Sequence, residues 1–458
     1  MEKYKLVREI PVEKGYDIVI AGGGPAGTVA AITAARLGAK VLLAEAMGCL
    51  GGMGTSGQVA AFDPMADGER QLVRGVMGEI LEKMYARGFL PPHVTPDFWQ
   101  KKYHCWTPFH PEGLKLLLDE MTQEAGVEVR FFTRVIDADV TEGRVNGVVL
   151  QNVEGYSYVQ AGAFIDCTGD AVLSDLCGAE YREAGRDTEN IMPPTLTAVF
   201  SNIDWDHFDQ LPHDDRYLFI EKAYEEGIIS QCDRHLPGMW RIGKRLAYLN
   251  GGHIFRMNSV KCQSLSQGMM RGRQLVQEYA AMYRKYVKGC EDMELVNTSS
   301  LMGVRESRRI VGEYELTYAD YAAKRNFPDQ IGVFNKFVDI HVYDCEKSTW
   351  DQFVNREHHA RLQPGEYFGI PYGILVPKGF KNLWVAGRCA SSDVMVQGSI
   401  RVMPAAGMMG QAAATAAVQC MRTGCHAAEI NTRILVETLR ENGAFLPQEE
   451  LSDTMTRS

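Results

Sequence analysis

Asp339-Ile340-His341 is the pairing in this chain best suited to acid–base chemistry. Read as a strand, it sets Asp339 and His341 on one face. A carboxylate beside an imidazole fixes its tautomer and raises its basicity, which suits a general base. The alternative is a histidine satisfied inside a core. His253, in Gly251-Gly252-His253, is a second candidate base. Arg305, Arg308 and Arg309 recur at i, i+3 and i+4, one face if the stretch is helical. They read either as an ion-pair node with Glu306 and Glu313 or, at Arg305, as a grip on an anionic group. Cys49 stands in a Gly-rich run, residues 46–57, as a redox-capable thiol or an inert loop cysteine.

These groups need a scaffold, and its clearest piece lies near the N-terminus. Tyr16-Asp17-Ile18-Val19-Ile20-Ala21 reads as a buried strand, and Gly22-Gly23-Gly24-Pro25-Ala26-Gly27 follows as G-x-G-x-x-G. An Ala-rich helix runs to Leu37, Gly38 ends it, and Lys40-Val41-Leu42-Leu43-Ala44-Glu45 is a second strand closing on a carboxylate. This strand–turn–helix–strand unit binds a dinucleotide. Gly22 permits the tight turn, Gly24 lets backbone approach a pyrophosphate, and Gly27 lets helix pack on sheet. The pyrophosphate sits at the helix N-terminus, where free N–H groups and the dipole favour an anion. Glu45 is spaced to accept from ribose hydroxyls.

The chain has 458 residues and a net charge of −10, with no long basic run, so a nucleic-acid face is not expected. Nothing approaches the roughly 20 apolar residues of a membrane span. The N-terminus is charged and lacks an apolar signal core, which reads as cytoplasmic. Eleven scattered cysteines without a C-x-x-C fit reduced thiols, and neither a metal site nor an iron–sulfur centre is expected.

Further along, residues 69–87 read as an amphipathic helix and 89–109 as irregular. A helix opens at His110-Pro111-Glu112 and is capped at Gly126. Residues 135–166 alternate and turn at Glu142-Gly143 and Glu154-Gly155, predicting a small antiparallel sheet. In 190–369 glycine thins, aromatics and histidines rise, and long helices are expected at 267–288 and 307–325. From Ile370 the chain is again rich in Gly, Ala and Met, with a small-residue helix from Arg401 to about Gln419. Residues from about Gln448 are polar and read as a frayed tail.

Together these motifs resemble the FAD-dependent oxidoreductases of the glutathione reductase structural class, nearer the succinate dehydrogenase/fumarate reductase branch. The motifs are the Gly22-to-Glu45 unit with Leu50-Gly51-Gly52, then Ile165-Asp166-Cys167-Thr168-Gly169-Asp170, and Gly303-Val304-Arg305-Glu306-Ser307-Arg308-Arg309-Ile310-Val311-Gly312. Leu375-Val376-Pro377, Asn382-Leu383-Trp384-Val385-Ala386-Gly387-Arg388 and Gly398-Ser399-Ile400-Arg401-Val402-Met403-Pro404 complete the set. The resemblance implies noncovalent FAD. It implies Gly22, Gly24, Pro25, Ala26 and Gly27 at the pyrophosphate and Glu45 with Ala46 at the ribose. Gly51, Gly52, Met53 and Thr55 would line the pyrophosphate and ribityl side. The Val135 backbone would meet the adenine, while Thr168, Gly169 and Asp170 pack near the cofactor. Gly387 and Arg388 would reach the ribityl chain. The helix beginning at Met403 would point at the flavin N1–C2=O edge, where its dipole favours the reduced state. Arg305 gains the flavin as an alternative partner. Arg401 stands where the branch grips a substrate carboxylate, although Gly398-x-x-Arg401 departs from that pattern.

The expected fold is therefore α/β: a Rossmann-like FAD domain of three layers, β/β/α, from 1–189 and 370–440. A mixed α+β substrate or cap domain at 190–369 is inserted in it, and 441–458 form a tail. With no second strand–G-x-G-x-x-G–helix unit, a stable nicotinamide domain is not expected. The expected activity is hydride exchange between flavin N5 and a small polar substrate, a hydroxyl or C–C dehydrogenation with a sugar-like metabolite as one candidate, and His341 as base. A flavoprotein subunit serving a redox partner protein and a non-redox flavoprotein isomerase or hydratase stay open, as do oligomeric state and the physiological electron acceptor.

Overall fold

The computed structural model describes residues 4–103, 106–208, 215–354 and 361–447. The polar tail expected from residue 448 lies outside them. β1 (Ile18–Ala21), α1 (Pro25–Arg36) and β2 (Val41–Ala44) form the N-terminal βαβ unit, with Gly38 in the left-handed region just past the helix. α2 (Gly75–Ala86), α3 (Pro111–Ala125) and β3 (Glu128–Arg130) follow, and α3 ends on left-handed Gly126. β4 (Arg134–Thr141), β5 (Arg144–Asn152) and β6 (Gly155–Gln160) are joined by turns at Gly143 and Gly155 into an antiparallel meander. β7 (Ala163–Asp166) leaves that meander and pairs in parallel with β1.

A second sheet comprises β8 (Thr195–Ser201), β9 (Gly238–Arg241), β10 (Ala247–His253) and β11 (Glu294–Thr298), in spatial order β9-β10-β8-β11, all antiparallel. α4 (Cys262–Tyr286) covers one of its faces. β12 (Leu383–Val385) completes the parallel sheet, whose order is β12-β7-β1-β2-β3. α5 (Met403–Thr423) and α6 (Thr432–Glu441) close the described chain.

Alternation along β1 and β2 explains the layers. Ile18, Ile20, Val41 and Leu43 pack on the helical side with α1 and α5. Val19, Ala21, Leu42 and Ala44 pack against Val145, Val148, Leu150 and Val159 of the meander. Both faces are buried, so the strands are apolar throughout. The result is the β/β/α sandwich. Residues 196–302 hold their own core, built from Leu196, Ala198 and Phe200 against Leu275, Val276 and Tyr279 of α4. Side chains from Leu316 to Val376 pack in the first core.

Some local expectations fail for identifiable reasons. The helix expected over 69–87 starts at Gly75, because Leu72 and Val73 donate their N–H groups to Met65 O and close a loop. The irregular stretch 89–109 contains a short helix, Pro96–Lys101, opened by Thr95 and Pro96. The helix expected over 307–325 does not form. Arg308–Ile310 is instead a strand paired with Tyr181–Glu183, and only Tyr318–Ala322 is helical, held by a Thr317/Asp320 capping box. Arg305, Arg308 and Arg309 therefore share no helix face.

Candidate active site

The loop between β1 and α1 is shaped by its glycines. Gly22 has φ +94°, and a Cβ there would stand 2.6 Å from Cys167 O. A Cβ on Gly27 would overlap the Gly22 carbonyl oxygen, whereas one on Gly24 would meet nothing within 4 Å. Gly24 thus borders open space at the N-terminus of α1, which no side chain caps. Glu45 follows β2, and its carboxylate accepts from Gly23 N (2.5 Å) and Met47 N (2.7 Å). Burial pushes its pKa up, against these bonds. Gly51 and Gly52 are left-handed, and Gly51 N donates to Gly23 O, so the second Gly loop lies on the first. Ala46 and Met53 are half-buried beside them. Thr55 is fully buried and donates to Leu50 O, bracing the loop. Cys49 Sγ lies 3.1 Å from Ser56 Oγ.

Across the cradle, Thr168 donates to Asp166 and accepts from Val172 N, holding the turn after β7. Asp170 pairs with Arg388 (2.7 Å), which also donates to Val304 O. Gly169 and Gly387 are both left-handed at this seam. Val135 lies in β4 opposite Leu150, next to Thr133, whose N–H bonds Glu45 O. Met403 opens α5, whose N-terminus also lacks a side-chain cap. α5 crosses α1 so closely that a Cβ on Gly410 would overlap Ala26 O.

The acid–base groups gather where the second sheet meets this cradle. Thr197 of β8 donates to Gly57 O across the junction. Residues 335–342 join no ladder among the described residues, so Asp339-Ile340-His341 is not the strand expected. Its alternation still holds: Ile340 enters the first core, while Asp339 and His341 face each other at 3.5 Å. His253, the last residue of β10, is fully buried. Its Nε2 lies 2.7 Å from His341 Nδ1. Its Nδ1 lies 3.0 Å from Asp233, which also accepts from the backbone N–H of His253, His235 and Leu236. His235 stacks on His341 at 4.4 Å.

The carboxylate of Asp233 only accepts, so His253 Nδ1 donates and His253 Nε2 accepts from His341 Nδ1–H. A neutral His341 has one N–H, claimed by His253 at Nδ1 and by the Asp339 carboxylate at Nε2; with the proton on Nδ1, Nε2 is the basic nitrogen beside Asp339. Burial holds all three imidazoles neutral, taking His235 down to about 3 and His341 well below its ordinary value, where Arg305 adds to the effect. Burial opposes the charge on Asp339, yet the cations Lys336 and Arg401 hold its carboxyl below the ordinary value. Arg401 donates to both the carbonyl and the carboxylate of Asp339 (2.9 and 3.0 Å). Lys336 is buried against Asp63. Arg305 is buried too, donating to Pro193 O (2.7 Å) and Thr195 Oγ1 (2.8 Å). Among the described residues no carboxylate pairs with it, and burial, then Arg401, lowers its pKa to about 9.

All five acid–base candidates thus meet in one place. Arg308 and Arg309 turn away. Arg308 pairs with Asp175, and Arg309 is held by Glu306 and Asp187 without Glu313. Asp233, His235, Lys336, Asp63 and Tyr248 escaped the sequence reading. Asp233-Arg234-His235 repeats the Asp-x-His spacing of residues 339–341 and was visible in principle. A broad surface cleft lined by Arg36, Arg74, Glu79 and Asn442 contains none of these groups.

A family model for FAD dependent oxidoreductases matches residues 17–441. The chain belongs to the FAD-dependent oxidoreductase family. Among curated proteins, dihydrolipoyl dehydrogenase of Trypanosoma brucei brucei is 53% identical over 45 residues, 10% of this chain and 9% of that protein. Digeranylgeranylglycerophospholipid reductase 2 of Methanothermobacter thermautotrophicus is 29% identical over 188 residues, 38% of this chain and 43% of that one. Each match thus spans less than half of the curated relative. Among solved structures, a geranylgeranyl bacteriochlorophyll reductase-like protein from Thermoplasma acidophilum covers 94% of this chain and 84% of its own. It is 14% identical, with a TM-score of 0.48. The flavin-dependent halogenase CmlS is also 14% identical, with a TM-score of 0.48, covering 93% and 62%.

For this FAD-dependent oxidoreductase the cradle fits its cofactor. The open space at Gly24 and the uncapped α1 N-terminus suit a pyrophosphate, and the Glu45 carboxylate suits ribose hydroxyls. No helix among the described residues is long and apolar enough to cross a membrane.

Proposed function

We propose that this enzyme exchanges a hydride between bound FAD and a small hydroxylated molecule, with His341 taking or returning the proton. The observation that carries the reading is the geometry of His341: a buried imidazole held between the Asp339 carboxylate at 3.5 Å and His253 at 2.7 Å. In the oxidative direction the substrate O–H proton passes to His341 Nε2, and Asp339 stabilises the imidazolium. His253, fixed by Asp233, accepts from His341 Nδ1–H and holds the ring. Bound FAD supplies the two-electron hydride acceptor or donor.

Several features favour a polar, sugar-like substrate. Asp63 Oδ1 and Tyr248 OH are buried without hydrogen-bond partners among the described residues and suit hydroxyl groups. Trp240 stacks on Tyr248 and on Trp106, giving an aromatic wall. Arg305, without a carboxylate partner, suits an anionic oxygen of substrate or flavin. The cap over the cleft is formed by the 196–302 core, facing the 335–343 segment of the first core. Within the family we assign the chain to the succinate dehydrogenase/fumarate reductase-like branch, on its single strand–G-x-G-x-x-G–helix unit and on the position of Arg401 just before α5, although Gly398-x-x-Arg401 departs from that branch's pattern.

The test is anaerobic absorption of the holoprotein during addition of sugars, polyols and hydroxy acids. The expected result is bleaching of the flavin band by one chemical class. Bound flavin that no hydroxylated compound bleaches, and whose reduced form no corresponding carbonyl compound reoxidises, overturns the reading.

A further inference from the structure

We infer that His235, His253 and His341 form a binding site for one divalent transition-metal cation, oriented by Asp233 and Asp339. One ligand atom from each of the three histidines lies within 4.8 Å of the other two. The outward nitrogens are the second observation. Metal-bound histidines almost always give their other ring N–H to a carboxylate, a carbonyl or a water. Here His253 Nδ1 stands 3.0 Å from Asp233, and His341 Nε2 stands 3.5 Å from Asp339. His253 Nε2 and His341 Nδ1 are left pointing at each other, and a hydrogen bond between them satisfies only one lone pair. The third ring, His235, has a buried Nδ1 with no hydrogen-bond partner among the described residues. Two of the three histidines lie 88 residues apart in sequence, so no local spacing announces the set.

Three neutral imidazoles suit zinc, copper, iron or nickel. They also match the three-ligand pattern of catalytic zinc sites, which keep a fourth position open. Tetrahedral zinc with bonds of about 2.0–2.1 Å needs nitrogens about 3.3 Å apart. The 2.7 Å pair must therefore open by about 0.6 Å, His235, stacked on His341, must turn until its ring plane meets the ion, and His341 must move its proton from Nδ1 to Nε2, toward Asp339. Asp233 and Asp339 offset the cation's charge, against Arg305 and Arg401. Burial keeps the imidazoles unprotonated and available as ligands. A role for the cation in turnover rests on the proposed redox reading, whereas its binding does not. The cation and the proton would compete for His341, so the base role proposed above is that of the metal-free chain, and bound Zn²⁺ would inhibit it.

The experiment uses holoprotein without an added histidine tag, stripped with a chelator and titrated with Zn²⁺ and, separately, Co²⁺. The expected result is about one Zn²⁺ per chain and the intense visible bands of tetrahedral Co²⁺. His235→Ala and His253→Ala should abolish tight binding, and Asp233→Asn should weaken it about 10- to 100-fold, with bound flavin reporting that each variant folds. Wild-type protein that binds Zn²⁺ no more tightly than His253→Ala overturns the proposal. If the variants fail to fold, the Co²⁺ spectrum of the wild type decides: octahedral, aquo-like bands overturn it. A chain that takes the metal but no hydroxylated substrate reduces its flavin leaves the metal site standing and removes the redox reading.

Discussion

A histidine kept neutral inside a protein makes stability depend on pH. His235 titrates at about 3 when folded, and burial lowers His253 and His341 as well. Unfolded histidine titrates at about 6.5. Between those values the unfolded chain binds more protons, so stability falls as the pH drops below about 6.5. Asp233 and Asp339, held low in the fold, add a further loss below about pH 4. Metal-free wild type should therefore melt at a falling temperature between about pH 7 and pH 5, and His235→Gln should flatten that slope. Equal slopes would contradict the neutral cluster. At Arg305, replacement by Met removes a charged donor from Pro193 O and Thr195 Oγ1 and from any anionic group in the cleft. We expect a loss of about 10- to 100-fold in kcat/KM with flavin content retained. An unchanged kcat/KM would make Arg305 purely structural. The Asp-x-His spacing made Asp339 and His341 legible in the sequence. It also predicts the wrong partner at residues 233–235, because Asp233 bonds the ring of His253 rather than that of His235.

Elements explain why the cofactor cradle was easier to read than the cleft. The turn at Gly22, the close helix approach at Gly27 and the carboxylate at Glu45 are all set within 30 residues, by local backbone needs that only particular residue types meet. Gly27→Ala would drive a Cβ into the Gly22 carbonyl, and Gly410→Ala would drive one into Ala26 O where α5 crosses α1. Both should lower FAD occupancy on purification and destabilise the holoprotein by about 1–3 kcal/mol. Gly24, beside open space, should tolerate Ala in the flavin-free fold yet lose FAD affinity. Equal FAD affinity in Gly24→Ala would contradict the pyrophosphate assignment. The arginine run shows the opposite case. Its i, i+3, i+4 spacing suits a helix, but pairing with Tyr181–Glu183 and burial of Arg309 between Glu306 and Asp187 outweigh that local preference.

At the scale of the molecule, the site exists because two cores meet. Thr197, in the sheet of the second core, bonds Gly57 of the loop beside the cradle, 140 residues away. His253 and His341 belong to the same meeting. Such contacts follow from tertiary packing, which is why the parallel sheet could be read from sequence while Lys336, Asp63 and Tyr248 could not. Thr197→Val leaves a buried carbonyl without its donor and should cost about 1–3 kcal/mol, read as a lower midpoint in denaturant. The central claim is that His341 moves the proton that accompanies hydride transfer. Its most direct test is the anaerobic rate of flavin reduction by the reducing substrate in wild type and His341→Gln, at matched flavin content. A rate lower by about 100- to 10,000-fold in the variant is predicted; an unchanged rate would contradict the account.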